Sequence, residues 1–228
     1  MVTPRAAVVP LREEPREGAE QLTQLLYGEP CALMETQERW VCVRSEWDGQ
    51  EGWADRKMMS QEDECPRVPA KLSMGSVVNG ERVLTGAERL TEPLAFDRTN
   101  LERVYELLKD TPYLWGGKSE WGMDCSGMTQ VVYSLFGIQL LRNASEQVTQ
   151  GVPIASLSEA QAGDLVFFDH ADQDPKRTNI SHVGILLSPD EVWHCSGWVR
   201  RDRIDAQGIR TEDGRYTHHI AAIRRMRD

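Results

Sequence analysis

The feature that most constrains this chain is a cysteine placed between a glycine-rich turn and an apolar helix. Residues 112–124 contain three glycines, Cys125 follows, and apolar residues recur at helical spacing from 128 to 136. Glycine permits the positive-φ turns that such a stretch needs, and Asp124 and Ser126 are both helix-start residues. Because a helix N-terminus favours the thiolate, the pattern indicates a nucleophilic cysteine. The alternative is a cysteine that only packs under a helix.

Two histidines further along the chain supply what such a thiol needs. His182 lies in the apolar run 181–187 and His194 in the run 191–195, with Ser-Pro-Asp between the runs. We predict that the two runs pair as a β-hairpin. A connection of odd length would place both histidines on one face, and the pattern leaves the register open. A nucleophilic thiol needs a base and a residue that orients the base, and this set supplies both.

Other interpretations of the histidines are open. Either one could be a core histidine whose hydrogen bonds are satisfied. Cys195, beside His194, also suggests a metal site that His170 could join. Zinc sites usually show closely spaced ligand pairs, however, and the sequence has none, so we predict no metal. His170, His218 and His219 lie outside the motifs, and we expect them to be surface or structural residues.

Several motifs in this order resemble the NlpC-type bacterial cell-wall cysteine peptidases, which have a papain-like fold. They are Tyr113 with the Trp-Gly-Gly turn, Asp-Cys-Ser-Gly around Cys125, Arg-Asn-Ala-Ser-Glu-Gln at 142–147, Gly-Asp-Leu-Val-Phe-Phe at 163–168 and Ser-His-Val-Gly at 181–184. The resemblance covers roughly residues 97–228. Leu141 departs from it, because the family often has proline before Arg-Asn, and this affects only the local turn.

The resemblance implies a role for individual residues. Cys125 is the nucleophile, His182 is the base and His194 orients the base. Tyr113 is similar to a tyrosine that helps to bind the oxyanion. The family counterpart of Asp124 pairs with the free amine of the peptide, which a charge-assisted hydrogen bond in a closed cleft makes reasonable; a simple helix cap is the alternative. The other implied substrate-binding residues are Ser126 and Trp115.

The N-terminal quarter has a different pattern. Residues 6–57 alternate short apolar runs with Gly and Asp turns, which predicts five short strands in a small barrel. The Asp-Gly-x-x-Gly-Trp ending at Trp53 resembles bacterial SH3-like domains. In family members with such a barrel, a similar segment supplies a second amine-binding carboxylate, here Glu20; an exposed glutamate is the alternative. Those relatives often have an aromatic residue where Gln50 stands, and Trp47 is the candidate replacement.

The predicted fold class is α+β. A bacterial SH3-like β-barrel precedes a papain-like peptidase domain in which helices pack on an antiparallel sheet. We place the barrel with its linker at 1–95, the barrel core at 6–57, and the peptidase domain at 96–228. A polar, proline-ended stretch after the barrel indicates the linker. Asn100 is expected to cap the first helix of the second domain.

Composition limits the partners. The net charge is −10 and the isoelectric point is about 5.1, which argues against nucleic acid and against a polybasic membrane anchor. No stretch approaches the roughly 18–20 apolar residues of a membrane span, and the first residues lack the apolar core of a signal peptide. The five cysteines are odd in number and scattered, which does not indicate a disulfide framework. We therefore expect a cytoplasmic location and no membrane partner.

The expected function is that of a cysteine peptidase that needs no metal or organic cofactor. The resemblance implies cleavage of the γ-D-glutamyl–diamino acid bond in peptidoglycan peptides, and the substrate expected is free L-Ala-γ-D-Glu-diaminopimelate during cell-wall recycling. Two alternatives are open: a catalytically degenerate module that binds wall peptides, and an amidase or acyltransferase on a related fold. The pattern does not indicate the third residue of the peptide or the oligomeric state.

Overall fold

A computed structural model describes residues 1–60, 68–169, 180–211 and 213–227. The chain divides into two compact units. The first contains residues 1–94, 114–123 and 131–139, and the second contains residues 95–113, 124–130 and 140–228. Within the described ranges, no helix has both the length and the apolar character that crossing a membrane requires.

The first unit is built on a five-stranded antiparallel sheet. Its strands are β1 (Val8–Arg12), β2 (Gln21–Leu26), β3 (Cys31–Gln37), β4 (Trp40–Ser45) and β5 (Glu51–Asp55), in the order β2-β1-β5-β4-β3. Alternate residues of β1, such as Val9 and Leu11, are fully buried in a core that they share with Leu25, Val43 and Ala54. This alternation is what the sequence pattern requires, and the predicted SH3-like strands are confirmed.

Smaller elements complete the first unit. A three-stranded sheet contains β6 (Val77–Val78), β7 (Glu81–Val83) and β8 (Arg89–Leu90), and a two-stranded one contains β9 (Lys118–Ser119) and β10 (Gly122–Met123). The β6–β8 sheet contributes Val78 and Val83 to a second core with Tyr27 and Leu72.

A buried ion pair ties β9 to the barrel. The Nζ atom of Lys118 lies 2.9 Å and 3.1 Å from the two carboxylate oxygens of Glu29, and both residues are buried. Glu29 also accepts the backbone N–H of Leu26, and the side chain of Gln24 accepts the N–H of Lys118. Each polar group of the pair therefore has a partner, as a buried charge requires.

The second unit is built on a seven-stranded antiparallel sheet. Its strands are β11 (Val152–Ile154), β12 (Leu165–Asp169), β13 (Ile180–Ser188), β14 (Glu191–Ser196), β15 (Trp198–Ile204), β16 (Gly208–Arg210) and β17 (Tyr216–Arg225). They lie in the order β11-β17-β12-β13-β14-β15-β16, and β17 also pairs with β16. In that order β16 is the last strand and β17 is the second, so their pairing bends the sheet back on itself.

The described part of the chain has three α-helices, α1 (Arg98–Leu108), α2 (Cys125–Leu135) and α3 (Ala144–Gln147). The ring of Tyr105 on α1 packs edge-on against Trp193 of β14, with 5.5 Å between centroids. The prediction that Asn100 caps α1 is wrong. Asp97 is the cap, because its carboxylate accepts the backbone N–H of Asn100 at 2.8 Å and the helix begins at the next residue. The predicted papain-like α+β fold is confirmed.

We predict that Lys118→Met destabilises the protein by about 3–5 kcal/mol, because the substitution leaves the Glu29 carboxylate buried without its cation. Urea unfolding measures the change. The matched control is Lys109→Met, which removes a lysine from an exposed pair with Glu106 and should leave the unfolding midpoint nearly unchanged. Lys118→Met combined with Glu29→Leu should be less destabilised than Lys118→Met alone. Equal effects of Lys118→Met and Lys109→Met would contradict the importance of the buried pair.

Candidate active site

Cys125 is the first residue of α2 and is buried, with 7% of its surface exposed. The preceding residue, Asp124, starts the helix. One carboxylate oxygen of Asp124 accepts the backbone N–H of Gly127 at 2.7 Å, and its backbone carbonyl accepts the N–H of Met128. This is the capping arrangement that leaves the free N–H groups of the first turn beside the cysteine.

Asp124 is also held by a buried guanidinium. The Nη2 atom of Arg142 lies 2.5 Å from one carboxylate oxygen and Nη1 lies 3.1 Å from the other, so the pair is bidentate. The Ser126 hydroxyl donates to Asp124 at 3.2 Å and accepts from Arg142 at 2.9 Å. All three side chains are buried. Their contacts are structural, and the predicted substrate contacts of Asp124 and Ser126 remain predictions.

Arg142 is a functional residue to which sequence reasoning gave no role. It was visible only as the first residue of the Arg-Asn-Ala-Ser-Glu-Gln motif, 17 positions after Cys125 in the chain. Its side chain is only 2% exposed, which is unusual for arginine and requires a paired carboxylate. The sequence signal was only the arginine itself, at the start of this motif. Its burial, which the structure shows, is what points to a carboxylate partner near the cysteine.

The thiol of Cys125 holds its proton firmly. Its pKa is raised to about 12, chiefly by burial and also by the nearby charge of Asp124. The backbone N–H groups of Val183 and Ser126 and the charge of Arg142 act in the opposite direction. The helix-start N–H of Ser126 thus lowers the thiol pKa, as predicted, but desolvation outweighs it. A neighbouring base must take the proton during reaction.

The predicted base, His182, lies on β13, the strand that also contributes the N–H of Val183. The His182 Nε2 atom on β13 is 2.9 Å from the His194 Nδ1 atom on β14, and both residues are buried. Gly184 pairs with His194 across the two strands, which places His182 and His194 on the same face. The predicted hairpin is confirmed, and its register, which the sequence leaves open, places both histidines on one face.

Gly184 makes room for this contact. A Cβ atom at position 184 would lie 2.6 Å from the Val192 side chain and 3.1 Å from the Cβ of His194. These distances are shorter than ordinary van der Waals contacts, so a side chain here would push β14 away from β13. The glycine of the Ser-His-Val-Gly motif thus allows the close approach of the two histidines.

Three further residues surround the histidine pair. The His194 Nε2 atom is 3.0 Å from a carboxylate oxygen of Asp202, and Arg200 lies 2.8 Å from that oxygen. The ring of the half-buried His218 lies 4.4 Å from the ring of His182, centroid to centroid, and is tilted by 34° relative to it. We expected His218, which lies outside the motifs, to be a surface or structural residue. The structure shows that it packs directly against the predicted base, His182. The pairing of β17 with β12 was not visible in the sequence.

Tyr113 belongs to the same unit as the cysteine and is 38% exposed. Its backbone N–H donates to the carbonyl of Gly197, at the turn between β14 and β15. Burial raises the pKa of its phenol above the ordinary value, and the charge of Cys125 raises it further. The phenol therefore stays protonated and remains a hydrogen-bond donor.

Glu20 and Trp115 lie in the first unit and contact each other. The indole Nε1 of Trp115 donates to Glu20 at 2.8 Å, and the side chain of Gln21 donates to the Trp115 carbonyl. Gly116 has a φ of +71° and approaches the carbonyl of Gln21 so closely that a Cβ would lie 2.5 Å from it. Their predicted roles in substrate binding remain predictions.

One face of the Trp47 ring is covered. The guanidinium of Arg82 stacks on it, 4.5 Å from the ring centroid. Gln50 folds into its own turn, where its N–H donates to Asp48. The proposed replacement of an aromatic residue at position 50 by Trp47 therefore has no support in these contacts.

Within residues 1–60, 68–169, 180–211 and 213–227, no group of three or more His, Cys, Asp or Glu residues has a metal-binding arrangement. His170, considered above as a possible ligand, lies outside the described residues. Cys195 is a buried, reduced thiol whose pKa is raised to about 12 by burial and by the charge of Cys125. The Nε2 atom of His182 and both ring nitrogens of His194 already take part in hydrogen bonds.

Two family models match the chain. Residues 110–221 match the model described as the NlpC/P60 family. Residues 11–57 match the one described as the bacterial dipeptidyl-peptidase Sh3 domain. The first match contains Cys125, His182 and His194, and the second contains Glu20.

Curated proteins with similar sequences include two dipeptidyl-peptidases. The chain is 40% identical to dipeptidyl-peptidase 6 of Lysinibacillus sphaericus over 112 residues, which is 48% of this chain and 36% of that protein. It is 33% identical to the γ-D-glutamyl-L-lysine dipeptidyl-peptidase of Bacillus cereus over 102 residues, covering 45% of this chain and 28% of that protein. The alignments thus cover well under half of each relative.

A solved structure has the same fold. A crystal structure of an NlpC/P60 family protein from Bacillus cereus matches 99% of this chain and 99% of its own chain, with a TM-score of 0.76. The sequence identity is 18%, so this comparison concerns the fold.

We predict that His182→Ala slows alkylation of Cys125 by iodoacetamide at pH 7 by about tenfold or more. Without the base, the thiol keeps the raised pKa that burial gives it, and about one molecule in 10⁵ is ionised at pH 7. The variant's rate should rise about tenfold per pH unit from pH 7 to 10 without a plateau. Mass spectrometry of the Cys125 peptide measures the adduct, with Cys125→Ala as the background. Identical pH dependence in the variant and the unmodified protein would show that His182 does not act on this thiol.

Proposed function

The chain belongs to the NlpC/P60 family and has a bacterial SH3 domain before its NlpC/P60 domain; from this premise we propose that it is a cysteine peptidase that hydrolyses peptidoglycan peptides. The observation that carries the proposal is the hydrogen bond of 2.9 Å between His182 and His194. His182 is adjacent to Val183, whose backbone N–H lowers the pKa of Cys125. A thiol, a base and an orienting residue are thereby brought together from α2, β13 and β14.

The bond proposed to be cleaved joins γ-D-glutamate to a diamino acid. Relatives named dipeptidyl-peptidase and γ-D-glutamyl-L-lysine dipeptidyl-peptidase support this class of substrate. We propose free L-Ala-γ-D-Glu-diaminopimelate as the substrate, a peptide released from the wall and recycled in the cytoplasm. Cleavage of such a released peptide requires no contact with intact wall, and the acidic net charge of −10 is consistent with a protein that does not bind an anionic polymer.

The proposed reaction has two steps. In the first, His182 takes the Cys125 proton as the sulfur attacks the γ-glutamyl carbonyl carbon, and then gives that proton to the leaving amine of the diamino acid. The C–N bond breaks and a thioester remains. In the second, His182 takes a proton from water, the water oxygen attacks the thioester, and the thiol is regenerated with its proton. The high thiol pKa means that proton transfer and attack are coupled.

The oxyanion that forms in each step needs hydrogen-bond donors. We propose that the Tyr113 phenol and the backbone N–H of Cys125 supply them. The phenol suits the role because its raised pKa keeps the proton in place. The N–H of the first residue of α2 has no partner within the helix, as for every helix start.

We predict that Cys125→Ala abolishes release of the diamino acid from L-Ala-γ-D-Glu-diaminopimelate and leaves the fold intact. His182→Ala should lower kcat/KM by about 10³-fold or more, because the base is lost. His194→Gln should be milder, about 10–100-fold, because an amide can still accept from the base. Mass spectrometry of the products measures the rates. Cys42→Ala, a half-buried cysteine of the barrel, is the control and should retain full activity.

The alternatives give different results in the same assay. A module that only binds wall peptides would bind the peptide without forming product in the unmodified protein. An acyltransferase would give a γ-glutamyl adduct with an added amine in place of the free acid. Retention of more than a trace of activity in Cys125→Ala would show that the nucleophile is wrongly assigned.

We also predict that acetylating the L-Ala amine lowers kcat/KM by about a hundredfold or more. The resemblance implies that carboxylates bind this ammonium, and each charged hydrogen bond contributes on the order of 1.5–3 kcal/mol. If Glu20 supplies one of them, Glu20→Gln should narrow the difference between free and acetylated peptides. Glu51→Gln, an exposed change on β5, is the matched control. Equal rates on both peptides in the unmodified protein would overturn the requirement for a free amine.

A further inference from the structure

The histidine pair continues into a longer chain of hydrogen bonds across three adjacent strands. His182 Nε2 is 2.9 Å from His194 Nδ1, and His194 Nε2 is 3.0 Å from Asp202 Oδ2. Arg200 holds the same oxygen, with Nη2 at 2.8 Å and Nε at 3.0 Å. The register of β14 and β15 explains the geometry, because His194 pairs with Arg200 and Val192 with Asp202. Directly opposed residues share a face of the sheet.

The proton on each nitrogen follows from the end of this chain. A carboxylate only accepts, so the Nε2 atom of His194 must carry the hydrogen. His194 is completely buried, and burial lowers its pKa in spite of the raising effect of Asp202, so the ring is neutral and its Nδ1 is an acceptor. The Nε2 atom of His182 must then donate to it. The Nδ1 atom of a neutral His182 then carries no hydrogen and is a hydrogen-bond acceptor.

We propose that Asp202 is a positioning residue that sets the tautomers of both histidines, so that the Nδ1 atom of His182 carries no hydrogen and can act as the base. This inference rests on the proposed peptidase function. Without a carboxylate at position 202, His194 could carry its hydrogen on Nδ1 and donate to His182. The Nδ1 atom of His182 would then carry the hydrogen, and that tautomer cannot take a proton from the thiol.

Arg200 keeps Asp202 in the state that this role requires. Burial alone would raise the pKa of Asp202, but the hydrogen bonds and charges of His194 and Arg200 together lower it. Asp202 therefore stays ionised and accepts from His194 throughout the ordinary pH range. When His182 becomes an imidazolium during the reaction, the negative charge of Asp202 stabilises it through the intervening neutral ring.

Other groups face the histidines. The ring of His218 on β17 lies 4.4 Å from His182 and 6.0 Å from His194. Phe168 on β12 packs 5.8 Å from His182 and covers it with an apolar ring. Asp202 accepts a hydrogen bond from His194, so its removal changes the charge next to His194 directly.

The test compares Asp202→Asn with Asp190→Asn. Asp190 is an exposed aspartate at the β13–β14 turn that also pairs with an arginine, Arg203, so its variant controls for loss of a carboxylate in the same sheet. We expect Asp202→Asn to lower kcat about 10–100-fold with little change in KM, and to move the acidic limb of the kcat/KM profile to lower pH. The limb moves down because the imidazolium loses its carboxylate. Asp190→Asn should match the unmodified protein, and Asp202→Glu should recover part of the loss.

A readout that needs no substrate separates this proposal from the peptidase assignment. Long-range ¹H–¹⁵N spectra of the histidine rings report which nitrogen carries the hydrogen. On a Cys125→Ala background, neutral His182 should have its hydrogen on Nε2, and adding Asp202→Asn should give a mixture of tautomers. An unchanged tautomer, or a fall in kcat with no shift of the pH profile, would overturn the role of Asp202 even if the peptide is cleaved. Correct tautomers with no cleavage would instead overturn the proposed function alone.

Discussion

The ion pair between Asp124 and Arg142 is the interaction on which the candidate site depends. Desolvating two charges is costly, and an apolar pair of similar volume often stabilises a fold as well or better. Here the carboxylate does more than pair with a cation, because it also accepts the N–H of Gly127 and the hydroxyl of Ser126. It therefore fixes where α2 begins, and with it the position of Cys125. The arginine supplies the opposite charge that this buried carboxylate requires.

The histidines are likewise governed by the need of buried polar groups for hydrogen-bond partners. A buried imidazole has two nitrogens, and each must find a partner or remain available for chemistry. His194 uses both, one toward His182 and one toward Asp202. The outermost charge, on Arg200, is only partly buried and stacks on the exposed ring of Trp198, 4.8 Å from the ring centroid. The chain of hydrogen bonds thus runs from a dry interior to a partly exposed ion pair, where charge costs less.

Local pattern and chain order predicted what depends on near neighbours in the sequence. The five barrel strands, the helix after Cys125 and the hairpin of β13 and β14 follow from alternation, helical spacing and turn residues. Asp202 and His218 could not be found in this way. Asp202 is eight residues after His194, and only the register of β14 with β15 brings its side chain to that ring. His218 depends on β17 lying beside β12, a pairing between strands about 50 residues apart. Asp97 displaced Asn100 as a cap because both fit the pattern and only the backbone geometry distinguishes them.

The resting charges of the second unit have a consequence for catalysis. Burial raises the pKa values of Cys125 and Tyr113, and burial lowers that of His194, so these three groups are neutral before substrate arrives. The permanent charges beside them occur as the two ion pairs Asp124–Arg142 and Asp202–Arg200, each of no net charge. A buried thiolate–imidazolium pair would cost desolvation energy at rest, and this arrangement avoids that cost. Charge develops when the sulfur attacks, and donors that already hold their protons are then in place to stabilise the oxyanion. The neutral resting site is therefore a consequence of burying the proposed nucleophile, and in the proposed reaction the rate depends on the proton acceptor of His182.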